Sequence, residues 1–313
     1  MLSRIANNLF WLGRYLERVE DTARFVEVQY YSFLDAPFIH KEEIALNSIL
    51  SMLGNPEYYY SKHKKLDEKS ILFTAILDIN NPVSVISSLS FARENARTTR
   101  DILSEDLWEA INKFYLFLKN YSKKKFLKAP FDLFEDIIEN CFIINGIIDR
   151  IIMKDIGWAF IKLGIDIERS AQLSRMIIAK LESIEKSGRT STVAENFHWR
   201  TLLESAAALD INKAVNHRAT DKEKVIELLT LNLKSPRSIA YNLQKIYEYL
   251  MMITPEKEEK AGTPEFEAGK ISSRLKFTTV EDIFKEGEKE FFLKVLNDIY
   301  NLASTIEKRY FVY

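Results

Sequence analysis

A chain of 313 residues that is 47% hydrophobic has enough apolar material for a large core, and a 28% charged fraction is that of an ordinary folded domain. Lys and Arg (44) nearly balance Asp and Glu (45), so there is no global basic field for nucleic acid or an anionic membrane. Only 9 Gly and 7 Pro punctuate the chain, too few for the turns of a β-sandwich or barrel, so an all-α fold is expected.

The opening Met1-Leu2-Ser3-Arg4-Ile5 lacks the basic-then-apolar layout of a signal peptide. From there Ile5, Leu9, Leu12, Leu16, Val19 and Ala23 recur at helical spacing and form one apolar stripe. Glu17 and Arg24 lie nearly in line on one flank of that stripe, and Arg18 lies on the other. Arg14 and Asp21 fall on the far side and are expected to face outward. Next, Asn81-Pro82 reads as an N-cap followed by proline at the first helical position. The helix it opens carries Arg93, Glu94, Asn95 and Arg97, with Arg93, Arg97 and Arg100 on one face. The basic run 123–128 reads as a solvated loop. Cys141, the single cysteine, lies in an apolar run and reads as a buried, inert thiol. That run is broken by Asp149-Arg150, so it does not reach membrane-spanning length, and a cytoplasmic protein is expected.

A second long helix begins near Trp158, places Phe160, Leu163, Ile167, Ser174 and Ile178 on one stripe, and is expected to end at Gly188. Thr192 to Glu195, Thr220 to Glu223 and Thr278 to Glu281 have capping-box spacing. Ser235-Pro236 repeats the cap-and-proline signal. The segment 255–277, with Pro255, Gly262, Pro264 and Gly269 among many charges, reads as a long charged surface loop.

The chain also resembles itself. Leu12-Gly13-Arg14-Tyr15-Leu16-Glu17-Arg18 with Ala23-Arg24 returns 151 residues later as Leu163-Gly164-Ile165-Asp166-Ile167-Glu168-Arg169 with Ser174-Arg175. Asn81-Pro82-Val83-Ser84 returns as Ser235-Pro236-Arg237-Ser238, and Glu105-Asp106-Leu107-Trp108 pairs more weakly with Glu281-Asp282-Ile283-Phe284. The expected architecture is a helical bundle built from two diverged copies of one multi-helix unit, residues 1–150 and 151–313, packed together. Gly13 and Gly164 are poor helix formers kept at matching positions, which points to a close helix approach.

Two readings of the repeated Glu and Arg residues stay open. Glu17, Arg18, Arg24, Glu168, Arg169 and Arg175 either pair across a helix seam and fix its register, or line a cleft that holds a carboxylate or phosphate. The Arg93 face has no basic counterpart in the second half, where Tyr247, Met251 and Thr254 stand. It is either a salt-bridged surface or a single site for an acidic group. Arg237, just inside a helix start, either belongs to plain capping or adds an anion contact. Catalytic templates are missing: there is no P-loop, no G-x-G-x-x-G and no G-x-S-x-G, and one Glu-x-x-His is too few for a di-iron bundle. No metal and no cofactor is expected.

The opening 1–18, the block Ala92-Arg93-Glu94-Asn95-Ala96-Arg97 with Trp108 and Asn112, the block Leu163-Gly164 to Glu168-Arg169, and Ser235-Pro236-Arg237-Ser238 together resemble the bacterial alpha-E domain family across essentially the whole chain. Ile165 departs from the pattern, since an arginine would continue the motif there. The resemblance implies an all-helical protein of a family whose members tend to be encoded beside a circularly permuted ATP-grasp protein, often with transglutaminase-like or proteasome-like peptidase genes, and so an ATP-grasp ligase, a peptidase or a transglutaminase-like protein as partner. The expected function is therefore a helical binding or accessory protein of an ATP-grasp-linked peptide- or amide-forming, or peptide-modifying, system. It would hold an anionic group on Arg14 and the Arg and Glu residues above. The alternatives are an enzyme acting on an amide or ester with Glu17, Glu94 or Glu168 as general base, and a purely structural scaffold.

Overall fold

The computed structural model describes residues 2–35, 41–187, 192–217, 220–254 and 260–311. Every regular element among them is a helix. The first half holds α1 (Ser3–Asp35), α2 (Lys41–Leu53), α3 (Pro56–Lys62), α4 (Glu68–Ile76), α5 (Val85–Thr98), α6 (Glu105–Lys119), α7 (Lys123–Lys128) and α8 (Pro130–Arg150). The second holds α9 (Ile156–Ser187), α10 (Thr192–Ser205), α11 (Leu209–Asn216), α12 (Lys222–Thr230), α13 (Ile239–Ile253), α14 (Pro264–Lys276), α15 (Val280–Glu286) and α16 (Glu288–Tyr310).

The two long helices, α1 and α9, form the centre. On α1 the stripe Leu9, Leu12, Leu16, Val19 and Ala23 is buried, and so are Ala6, Phe10, Phe25 and Val26 on other faces. A helix buried on all sides must have neighbours all round, and α1 packs against α9, α5, α2, α8 and α10. Arg14 and Asp21 therefore do not face solvent as expected; both are buried. A single stripe locates a helix's strongest apolar face but is silent about a second ring of partners.

The halves repeat one another's contacts. α1 packs on α2, α5 and α8 as α9 packs on α10, α13 and α16; α5 packs on α6 as α13 packs on α14; α7 packs on α8 as α15 packs on α16. Across the halves, α2 touches α9 and α10 touches α1. In this arrangement α14 occupies the place of α6, and α15 that of α7. The weak sequence match of 105–108 with 281–284 is thus out of register by one helix.

The expected loop 255–277 is corrected by the same element. Residues 255–259 lie outside the described residues, but 264–276 are helical: Thr263 caps the chain by accepting from Phe266 N, and Pro264 is the first helical residue. Ala268, Ile271 and Leu275 supply its buried face. The basic run 123–128 is α7, capped by Ser122 and anchored by buried Phe126. The helices after Asn81-Pro82 and Ser235-Pro236 start three residues late. Their true caps are Ser84, which accepts from Ser87 N, and Ser238, which accepts from Tyr241 N. Asn81 instead braces the preceding helix, donating from Nδ2 to Thr74 O at 2.9 Å. Likewise Asp221 and Thr279, not Thr220 and Thr278, are the caps of α12 and α15. Gly188 and the side chain of Thr192 lie outside the described residues. Cys141 is buried, and burial holds its thiol well above its ordinary pKa, so the inert reading stands.

Candidate functional site

The α1–α9 seam closes on two glycines. A Cβ on Gly13 would stand 2.1 Å from Ile161 O, and one on Gly164 would stand 2.0 Å from Phe10 O. Only glycine lets the backbones meet at this distance. One turn further on, the contact advances from apolar to ionic, and the two Glu-Arg pairs exchange partners. Arg169 donates to Glu17 with both arms, Nε to Oε1 at 2.5 Å and Nη2 to Oε2 at 2.8 Å. In return Arg18 donates from Nε to Glu168 Oε1 at 2.8 Å.

The surroundings of the two carboxylates differ. Glu168 also accepts from Arg14 Nε at 2.9 Å and from Gln172 Nε2 at 3.0 Å. Burial pushes its carboxyl up, but Arg14 and Arg18 outweigh this and bring its pKa down to about 2. Arg175 adds to that field, and it donates from Nε to Tyr300 Oη at 2.9 Å beside it. Three guanidinium groups thus face one carboxylate, with Tyr15 and Tyr300 flanking them.

Around Glu17 the balance is reversed. Asp166, Glu20 and Asp21 are all buried there. Arg237, from the loop before α13, donates to Glu20 Oε1 at 2.8 Å and comes within 3.6 Å of Glu17 and 3.7 Å of Asp21. Arg24 reaches Glu20 at 3.5 Å, and Asn145 donates to its other oxygen at 3.1 Å. Burial would raise Glu20, yet Arg237, Arg169 and Arg24 hold it below the ordinary range. Burial, reinforced by Glu17, pushes Asp21 well up, and burial pushes Asp166 to about 6 in spite of Arg169. The void between Asp21, Arg169 and Arg237 measures only about 10 Å³, about one water-sized sphere. This end of the seam is tightly filled.

The expected site residues therefore separate into three groups. Arg14, Glu17, Arg18, Arg24, Glu168, Arg169 and Arg237 lie along the seam in two clusters, one of Arg169, Arg237 and Arg24 about Glu17 and Glu20, the other of Arg14 and Arg18 on Glu168. Arg175 stands at its edge. Arg93, Glu94, Asn95 and Arg97 form a separate surface on α5: Arg93 donates to Asn112 at 2.8 Å and to Glu94 at 2.7 Å, and Arg97 donates to Glu94 at 2.8 Å. Trp108 lies beneath Arg93 and Arg100. Arg93 and Arg97 on that face share the one carboxylate of Glu94. Sequence reasoning missed Glu20, Asp21, Asp166, Gln172, Asn145 and Tyr300. Only their neighbourhood to the Glu-Arg pairs in the chain, or on the facing helix, could have signalled them. As bases, Glu17 and Glu168 are poorly placed: both are held in ion pairs, and Glu168, with its pKa down to about 2, is a weak proton acceptor near neutrality.

The crossed Glu-Arg pairs give physical content to the comparison with known proteins. The Alpha-E model, described as a predicted alpha-helical domain with a conserved ER motif, matches residues 1–311. The chain belongs to the Alpha-E family. In it, Glu17-Arg18 and Glu168-Arg169 are two ER pairs, each completing the other. An uncharacterized protein of Mycobacterium bovis is 23% identical to this Alpha-E chain over 264 residues, which is 78% of the chain and 29% of the relative. Uncharacterized proteins of two Mycobacterium tuberculosis strains match to the same extent. The chain spans less than a third of the length of these curated relatives. No solved structure matches it. Among the described residues no helix is long and apolar enough to cross a membrane.

Proposed function

We propose that this Alpha-E chain is a helical binding component that holds a carboxylate or phosphate at the rim formed by Arg14, Arg18 and Arg175. It would act as an accessory part of an ATP-grasp-linked peptide- or amide-forming, or peptide-modifying, system. The observation that carries the binding reading is the charge imbalance at Glu168: three guanidinium groups and one carboxylate leave two positive charges in excess. Arg18 uses only its Nε toward Glu168, its side chain remains 19% exposed, and its two terminal amines have no hydrogen-bond partner among the described residues. Arg14 and Arg18 held by one carboxylate, with Arg175 held beside them by Tyr300 and free N–H donors on Arg18, are suited to a second, incoming oxyanion. The accessory reading is supported by the relatives, in which the matched region is joined to a longer stretch of other chain. We also infer that the chain arose by duplication of an eight-helix unit, residues 1–150 and 151–313; the repeated helix neighbours support this.

The test is a titration of the purified chain with inorganic phosphate and with acetate at constant ionic strength, following the arginine Nε–Hε resonances. Saturable shifts of Arg14, Arg18 and Arg175, with Arg93 and Arg97 unmoved, are expected. Arg175→Ala should weaken binding about three- to tenfold, the loss of one partly solvated charge-assisted contact. If the Arg93 face responds instead, or no arginine responds, the anion-holding reading fails. For the accessory role, the tagged chain from its native cells should bring an ATP-grasp ligase with it at near-stoichiometric yield.

A further inference from the structure

A cleft of about 780 Å³ opens between α1, α8, α10 and the start of α11. Its volume lies in the range of small-molecule and short-peptide sites. Its walls combine aromatic and aliphatic surface, from Val28, Tyr31, Phe142 and Phe197, with charge.

The charges of the wall do not cancel. Three carboxylates (Glu27, Glu204 and Asp210) face two guanidiniums (Arg24 and Arg200). Arg200 donates to Glu204 at 2.9 Å, and Asp210 is paired with Lys213 at 2.8 Å. Arg24 is turned to Glu20, a residue outside the cleft, and lies over the Phe142 ring. Glu27 is left over. Among the described residues none donates to it, although it is partly buried; burial, and Glu135 nearby, raise its pKa against the pull of Arg24. A partly desolvated carboxylate without a donor, one helical turn before Tyr31, matches the chemistry of an organic cation. The carboxylate takes the charge, and ring faces take both the charge and the apolar body.

We propose that this cleft binds a primary ammonium group carried on an apolar body, with the ammonium on Glu27 and the body against Val28 and Tyr31. The site is distinct from the arginine rim of the Proposed function and does not rest on it. A free aromatic amine and a lysine side chain of a peptide present the same chemistry.

The test titrates the full chain with three probes in ligand-observed NMR: phenethylammonium, phenylacetate, and the dipeptide acetyl-Phe-Lys-amide. Phenethylammonium or the dipeptide should bind saturably and phenylacetate, the same body with the opposite charge, should not. The tighter of the two cations identifies the source as a free amine or a peptide. Glu27→Gln should weaken cation binding about ten- to a hundredfold, the loss of one charge-assisted contact. Tyr31→Leu, which keeps apolar area but removes the ring face, should weaken it about two- to fivefold. Binding of phenylacetate as tight as that of the cations would assign the cleft to Arg24 and overturn the proposal. So would no binding by either cation, or binding unaffected by Glu27→Gln in a variant whose thermal melt matches the parent.

Discussion

Gly13 and Gly164 are each pressed against the other helix's main chain, with the position of a missing Cβ 2.1 Å from Ile161 O in one case and 2.0 Å from Phe10 O in the other. The crossed pairs Glu17–Arg169 and Glu168–Arg18 depend on this approach, because side chains as short as Glu17 and Glu168 reach across only where the two backbones are close.

Gly13→Ala or Gly164→Ala should accordingly destabilise the fold by about 3 kcal/mol or more, since the clash is with backbone that no rotamer change relieves. The better helix propensity of alanine returns only about 1 kcal/mol. Urea denaturation of both single variants and the double variant checks this. The double should cost less than the sum, because the first substitution already parts the helices. A neutral or stabilising single variant would mean the helices are not in contact here.

Among the described residues Glu17 is the one carboxylate in bidentate contact with the largely buried Arg169. Glu17→Ala should cost about 3–5 kcal/mol, because it leaves Arg169 without its principal partner. The double variant Glu17→Leu with Arg169→Met should recover most of that loss. Comparable cost in the single and the double would show that packing volume, not stranded charge, sets the energy.

The seam also makes two opposite contributions to the pH dependence of stability. Glu168 has its pKa lowered from 4.5 to about 2, so its contribution is fully present above pH ~4.5 and lost as pH falls toward 2, up to about 3 kcal/mol. Asp166 has its pKa raised from 3.8 to about 6, so its contribution is present below pH ~4 and lost as pH rises through 6. Asp166→Asn should leave stability near pH 4 little changed and raise it at pH 7.5 by up to about 3 kcal/mol. Melting curves of parent and variant from pH 4 to pH 8 read this directly; parallel curves across that window would remove Asp166 from the account.

Ala207 closes α10 in the left-handed region, at φ 52°, while Ala208 N donates to Leu203 O at 2.8 Å. This is the helix-ending turn in which glycine is usual. Ala207→Gly should therefore raise stability by about 0.5–1 kcal/mol, against the general rule that an added glycine destabilises. Thermal melting of the variant gives the sign.

How much of this was legible beforehand depends on distance along the chain. The helical class, the α1 stripe and the two Glu-Arg pairs rest on spacings within a few residues, and those are properties of the local sequence. Even so, Pro264 and Gly262 were misleading, since Thr263-Pro264 opens α14 rather than extending a loop. The apolar positions Ala268, Ile271 and Leu275 carried the helical period, but too sparsely among charges to stand out.

The sequence by itself determined an all-helical chain with recurrent Glu-Arg motifs, because backbone hydrogen bonding and hydrophobic period are local. The tertiary structure decided the partners. Nothing in the chain's spacing connects Arg237 to Glu20, 217 positions away, or places Arg14 under cover with Glu168. Those relations arise when a second ring of helices closes around α1 and α9. Burial then converts charges that would be ordinary on a surface into a seam with one tightly filled end rich in carboxylates and one end where arginines gather on Glu168.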